Sequence, residues 1–403
     1  MNSATTKIAA GHYAAPDGGV FSLALQTGFL SLITLGIYRF WAKTRLRKYF
    51  WANTRLGQDG FEYTGTGLEK FLGFLVAVVV LAVYLAIVQL VLFQFGLYFV
   101  FQPKTNAEIL MQLGVFYLSL FALAPLLLFA QYRSRRYKLA RTRFRGIRFG
   151  MQKQAGGYVL RGIGLLIATI LSLGLLWPLM TYKLEAYMTN RSWYGDTKFT
   201  QGGKWTGLYG TYKHVVIGLI VLIGGGVASA FAQSEAFAMI CLAVGYLWMF
   251  VGYLSYSVQG FAYLTRTKQL GPDITFQASP KTGTVLGRLI LGYLFIGVVG
   301  VAVFAIGALV FGGMIAAAVS SSGVSDQASI TLLAIGVSVG YLIFLTFVGA
   351  MALAFITEPI IRHIIGTTAM VNVDALDAIR QRVTDKGADA EGFADALDWG
   401  GAI

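Results

Sequence analysis

The sequence predicts an α-helical polytopic membrane protein, built from internal pseudo-repeats of membrane helices with short cytoplasmic β-hairpins. Three observations carry that expectation. Of 403 residues, 56% are hydrophobic and only 12% charged, about half the ~25% usual in soluble domains. The mean hydropathy is +0.66, and the apolar residues gather into runs long enough to cross a bilayer. The 32 Lys and Arg, set against 18 acids, are bunched into a few polar segments, and the pattern of those segments recurs.

The chain begins with a small, polar segment, 1–19, in which Lys7 is the only Lys or Arg. It lacks a basic region followed by a compact apolar core, so no cleaved signal peptide is expected. Eight apolar stretches follow, roughly 21–41, 71–101, 109–131, 158–180, 215–232, 237–262, 285–319 and 330–361. About 20 residues span the hydrocarbon core. The second stretch has 31, which implies tilt or an extension beyond the membrane.

Charge then sorts the connections. Segment 39–55 holds six basic residues and no acid, and 132–153 holds nine and none. Segments 183–213 and 266–288 are also net positive, whereas 102–108, 233–235 and 320–329 are short and nearly uncharged. Positive segments stay in the cytoplasm. The stretch 158–180 has basic segments on both sides, so a single crossing would export one of them. Leu173-Gly174 near its centre offers a reversal, and Pro178 limits helix continuity after it. The first stretch carries the same pair, Leu35-Gly36. Six full crossings and two half-membrane elements result. The rival, one crossing for 21–41 with an external N-terminus, stays open.

A formal charge of +14 would suggest nucleic acid in a soluble protein. No nucleic-acid module accompanies these runs, so anionic headgroups are the expected partners. Cys241 stands alone in an apolar run, which excludes an internal disulfide. His12, His214 and His363 are far apart, and HExxH and CxxC are absent. No metal or cofactor is expected.

The repeat is the strongest signal. Arg45-Leu-Arg-Lys-Tyr49, followed by Ala52-Asn-Thr-Arg-Leu56, recurs 88 residues later as Arg133-Ser-Arg-Arg-Tyr137 and Ala140-Arg-Thr-Arg-Phe144. A weaker copy is Lys183-Leu-Glu-Ala-Tyr187, and fainter ones end at Thr267-Lys268 and at 362–368. The first four run into Gly57, Gly146, Gly195 and Gly271, each with a Phe just beyond. Alternating residues around these glycines read as hairpins. Four of them are expected to pair into a small sheet, since one alone is marginal in water. The organisation expected is an N-terminal segment 1–19, membrane repeats 20–132, 133–265 and 266–370 (the last divergent), and an acidic cytoplasmic tail 371–403 with a short helix over 374–383.

The run Leu32-Ile-Thr-Leu-Gly-Ile-Tyr-Arg-Phe-Trp-Ala-Lys-Thr-Arg-Leu-Arg-Lys-Tyr-Phe-Trp51, with Phe61-Glu-Tyr-Thr-Gly-Thr-Gly67 and Arg141-Thr-Arg-Phe-Arg-Gly-Ile-Arg-Phe-Gly150, resembles the YjgN family of bacterial inner-membrane proteins. Glu358-Pro359 and Arg362-His363 depart from that family's last motif. The resemblance implies a fold and a bacterial inner-membrane location. The family has no assigned activity, so no site residue transfers.

Two sets of residues are candidates. The cations Arg39, Lys43, Arg45, Arg47, Lys48, Arg55, Arg133, Arg135, Arg136, Arg141 and Arg143 lie among aromatics, as at a headgroup-level anchor or a lipid or anion site. Arg39, Lys43 and Arg47 share a helix face. The second set is polar within apolar stretches: Glu358, Arg362, His363 and Gln94. Glu358 and Arg362 are spaced to pair, Pro359 frees a nearby carbonyl, and Gln94 shares a face with Tyr98. No catalytic set is grouped, and an enzyme is not expected. Internal repeats and broken helices suggest a transporter or channel-like protein for an anionic or lipidic solute. The alternative is a non-transporting phospholipid-binding or scaffold protein, with a homo-oligomer left open.

Overall fold

The computed structural model describes residues 7–99, 102–322 and 327–382. The tail beyond 382 and the centre of the polar link at 320–329 lie outside the described residues. β1 (Ile8–Tyr13) leads into α1 (Val20–Ile33) and α2 (Arg39–Asn53). After β2 (Thr54–Leu56) and β3 (Asp59–Tyr63) come α3 (Gly67–Gln94) and α4 (Asn106–Ala140). β4 (Thr142–Phe144) and β5 (Ile147–Met151) precede α5 (Ala155–Leu171) and α6 (Trp177–Thr189). β6 (Ser192–Tyr194) and β7 (Thr197–Gln201) precede α7 (Tyr209–Ala232) and α8 (Glu235–Arg266). β8 (Lys268–Leu270) and β9 (Ile274–Ala278) are followed by α9 (Thr282–Ser322), α10 (Gln327–Ala352), a π-helical turn at Leu353–Thr357, α11 (Glu358–Gly366) and β10 (Thr368–Val371).

Among the described residues, six helical segments are long and apolar enough to cross a membrane: Gly67–Gln94, Asn106–Ala140, Trp205–Ala232, Glu235–Arg266, Thr282–Val310 and Ala334–Gly366. Large apolar side chains such as Leu90, Phe93 and Leu110 stand exposed on them, a surface that suits lipid and not water. The chain is a polytopic membrane protein.

The two remaining apolar helices, α1 and α5, have 14 and 17 residues. At 1.5 Å per residue they reach about 21 and 26 Å, short of the ~30 Å core. Each then turns back through a Leu-Gly pair with left-handed backbone, Leu35 (φ 50°) and Gly36 (φ 89°), Leu173 (φ 52°) and Gly174 (φ 87°). The turns are built alike. Gly36 N–H donates to Ser31 O (2.7 Å) and Gly174 N–H to Thr169 O (2.8 Å). Thr34 and Ser172 hydroxyls accept from Tyr38 and Leu176 N–H. Pro178 stands in the first turn of α6, where its missing N–H has no helical partner to lose.

The strands correct one expectation. They form neither separate hairpins nor an open sheet but a closed ring, in the order β1-β10-β9-β8-β7-β6-β5-β4-β3-β2. Closure removes the unpaired edges a small sheet would leave. The repeated pattern therefore occurs five times, and its fifth strand pair joins β10 to β1. Phe61, Phe149, Phe199 and Phe276 take the third position of β3, β5, β7 and β9. Their rings follow one another at 6.5, 6.3 and 6.3 Å. Gly11 holds the matching register in β1, since it faces Leu56 as Phe61 faces Phe144. A Cβ there would come within 2.3 Å of Ile365 O, which leaves no room for a fifth ring.

The tail helix expected over 374–383 is also corrected. Only a 3-10 turn forms, at Val373–Ala378. Side chains bind the segment: Asp377 pairs with Arg145 (2.9 Å), Asp374 with Lys7 (3.1 Å), and Gln381 Oε1 accepts from Arg148 N–H (2.8 Å). Leu376 and Ile379 are buried. Fixing those two side chains and satisfying the acids one by one leaves no reason to wind a longer helix.

By packing, the described residues divide into two compact units, 7–8 with 61–277 and 370–382, and 9–60 with 278–369. The first is centred on Tyr132, Met151, Tyr158 and Tyr187. The second is centred on Ile296, Met351 and Ile356, with Phe21 and Phe347 against them.

Candidate functional site

The repeat sets a local rule, and the site lies where the rule is broken. The first residue of each short strand is Thr54, Thr142, Ser192 or Thr368 in four repeats. Each hydroxyl donates back to the carbonyl four residues earlier, on Phe50, Lys138, Met188 and Ile364, at 2.7–2.8 Å. This caps a helix C-terminus that would otherwise leave carbonyls open. In the fourth repeat Thr267 makes that bond, to Tyr263 O (2.9 Å), and Lys268 takes the first strand position. Seven residues before the strand stand Arg47 and Arg135 in the first two repeats. In the third, Glu185 stands there.

These departures meet. Arg135 of α4 reaches Glu185 of α6 side by side, Nη1 to Oε2 and Nη2 to Oε1, the second at 2.9 Å. Lys268 Nζ donates to Oε1 at 3.2 Å, and the Thr189 hydroxyl donates to it at 3.0 Å. Such charge-assisted, two-pronged pairing is the strong kind. Burial alone would raise the Glu185 carboxyl, but Arg135 and Lys268 hold it well below the usual carboxylate range. Burial lowers the Lys268 ammonium, opposed by Glu185.

All three line a cavity of about 560 Å³, with Trp177, Thr181, Tyr253, Tyr256, Ser257 and Thr265 among its other walls. A second cavity of about 430 Å³ shares Trp177, Tyr253 and Tyr256 with it and continues between Tyr212, Tyr246, Met249 and Phe250. The first is charged and hydroxyl-lined, the second aromatic. Both belong to the first unit.

The second unit holds the Glu358 cluster. Glu358 is 1% exposed. Its Oε1 accepts from Tyr13 (3.2 Å) and Tyr49 (3.3 Å), and Oε2 from the backbone N–H of Val20 (3.4 Å). Burial and the Glu358 charge push the Tyr49 hydroxyl up to about 12, and Tyr13 upward as well. The expected Glu358–Arg362 pair does not form. Arg362 turns to Asp17 (3.1 Å) and to Ala15 O (2.7 Å), its guanidinium over the Tyr13 ring. His363 Nε2 accepts from Lys281 N–H (3.1 Å). Gln94 is exposed at the end of α3, and Tyr98 lies beyond the helix, so the two share no helix face. The neighbouring Gln89 does bond between helices, to Ser119 Oγ at 2.9 Å.

The basic set divides. Arg39, Arg45, Lys48 and Arg55 are exposed, and Lys43 and Arg143 half-buried. Arg133 is half-buried over Phe129. Arg47 and Arg136 are buried, with Arg136 Nε on Met151 O. Arg141 holds Glu69 with two nitrogens at 3.1 Å, and Tyr137 donates to the same carboxylate. Glu185 and Lys268 were not singled out by sequence reading. The signal was present as two residues that fail to match an otherwise regular repeat.

The family model described as "Bacterial protein of unknown function (DUF898)" matches residues 11–396. Over 72 residues the chain is 33% identical to "Inner membrane protein YjgN" of Salmonella typhimurium strain LT2, a match covering 18% of this chain and 18% of that protein. No solved structure matches. With nearly all of its length under the family model, and with the YjgN-like motifs in place, the chain belongs to this family of bacterial membrane proteins, whose function is unassigned.

Proposed function

We propose that the protein resides in the bacterial inner membrane and binds an amphiphile drawn from the bilayer. The observation that carries this is the pair of adjoining cavities, charged beside Arg135, Glu185 and Lys268 and aromatic beyond Trp177. Their size fits a small-ligand site, and polar groups gathered at one end give orientation. The inner-membrane location is supported by the similarity to YjgN and by the six long apolar helices. By the positive-inside rule the basic strand-bearing ends face the cytoplasm. There the exposed Arg39, Arg45, Lys48 and Arg55 meet anionic headgroups. In this reading the protein works by binding its ligand and not by catalysis.

The test is native mass spectrometry of the protein released from membrane in mild detergent. A bound lipid that Trp177→Ala weakens supports the reading. A lipid-free protein, or lipid retained equally by the variant, refutes it.

A second reading, solute transport, is favoured by the π-helical turn at Leu353–Thr357 just before Glu358-Pro359, since broken membrane helices form transport sites. Uptake into vesicles that Glu358→Gln leaves unchanged would remove Glu358 as a coupling residue.

A further inference from the structure

Two cations and one carboxylate face the first cavity, and its remaining walls are neutral. Glu185 is shared between Arg135 and Lys268, so it offsets one of them and leaves one positive charge over. A surplus charge beside apolar walls is costly until something neutralises it. A neutral head would leave the surplus in place, and a doubly charged head would reverse it. Thr265 adds a hydroxyl to the same wall, while the Thr181 and Ser257 hydroxyls donate to Trp177 O (3.0 Å) and Tyr253 O (2.9 Å) and offer the cavity only acceptor oxygens. The aromatic cavity that shares Trp177 continues from the charged one.

We propose that the pocket takes an amphiphile with one net negative charge, its head beside Arg135 and Lys268 and the start of its chain between Trp177 and Phe250. This rests on the amphiphile reading above and adds the charge of the ligand. A phosphodiester lipid and a fatty-acid carboxylate share that chemistry. The repeat strengthens the case. Lys268 occupies a position where four repeats carry a capping hydroxyl, and Thr267 already supplies that bond. Helix capping therefore does not require Lys268, whose ammonium stands at the cavity.

The test uses the whole chain in nanodiscs of phosphatidylcholine doped separately with phosphatidylglycerol, phosphatidylethanolamine, oleate, or phosphatidate at pH 9. Retention is read by native mass spectrometry. Wild type should retain phosphatidylglycerol or oleate about tenfold over phosphatidylethanolamine, the scale of one screened charge contact. The arm that responds identifies the head chemistry. Lys268→Gln should abolish that preference while leaving the exposed cations of α2 untouched, so surface attraction cannot mimic the result. Glu185→Gln adds a positive charge and should move the preference toward phosphatidate. If that variant does not fold, the wild-type order and Lys268→Gln decide alone. Equal retention of charged and zwitterionic lipids by wild type, or no change in Lys268→Gln, overturns the inference while leaving amphiphile binding intact. Failure to retain any lipid removes both.

Discussion

Glu185, half-buried, and Glu358, fully buried, are both carboxylates on helices that run into the strand ring, and they are handled in opposite ways. Glu358 is enclosed and satisfied by neutral donors, two tyrosine hydroxyls and one backbone N–H. Glu185 is satisfied by cations and lines a cavity. The first arrangement ties β1, α1 and α2 to α11 and leaves nothing over for a ligand. The second leaves charge over. A buried acid within a membrane protein is thus not by itself a functional site. What its partners are, and whether they open onto space, decides.

The largest effect that would sharpen this contrast is at Glu358. Glu358→Ala leaves three buried donors without an acceptor and should cost about 3 kcal/mol or more, read as a loss of thermal stability in detergent. A small change would mean the cluster is not the clamp described. Next comes pH. Glu185 is depressed in the folded protein, so its contribution is present above the unfolded carboxylate value near ~4.3 and is lost as pH falls below it. Between pH 6 and pH 3.5 wild type should lose about 1 kcal/mol more than Glu185→Gln. Parallel melting curves for the two proteins would contradict the pairing.

Tyr49→Phe removes one of three donors to Glu358 and should cost about 1 kcal/mol. With the Tyr49 hydroxyl pushed up to about 12, the same variant should leave the ultraviolet phenolate titration below pH 11 unchanged. The smallest effect is expected for Lys268→Thr, which restores the residue type of the other repeats. Its stability should change by less than about 1 kcal/mol, while lipid selectivity is lost. A large destabilisation would place Lys268 with the structural donors of the Glu358 cluster instead.

Much of this was legible in the chain. Six long apolar runs became six long helices, and the shared Leu-Gly pairs marked both half-length turns because only a left-handed corner fits there. The four glycine-centred strand pairs were visible because all their information is local. The fifth was not: β10 and β1 lie about 360 residues apart, and neither carries a turn signal of its own. The Glu358 cluster was half legible. The acid stood out, but its partners Tyr13, Tyr49 and Val20 come from the opposite end of the chain, so the nearby Arg362, which pairs with Asp17, looked like the natural mate. At the pocket, Glu185 sat inside a recognised copy of the repeat. Its mismatch with Arg47 and Arg135 reads as divergence until the fold places it beside Arg135.

The partnership of β1 with β10 has a consequence for biogenesis. β10 leaves the ribosome only after every membrane helix, so β1 must wait at the bilayer surface through the whole of insertion. During that interval two strand edges are open, the condition that invites wrong pairing between neighbouring nascent chains. A product cut short before Thr368 would keep those edges bare indefinitely. The ring therefore shuts only for a chain that has reached its last strand.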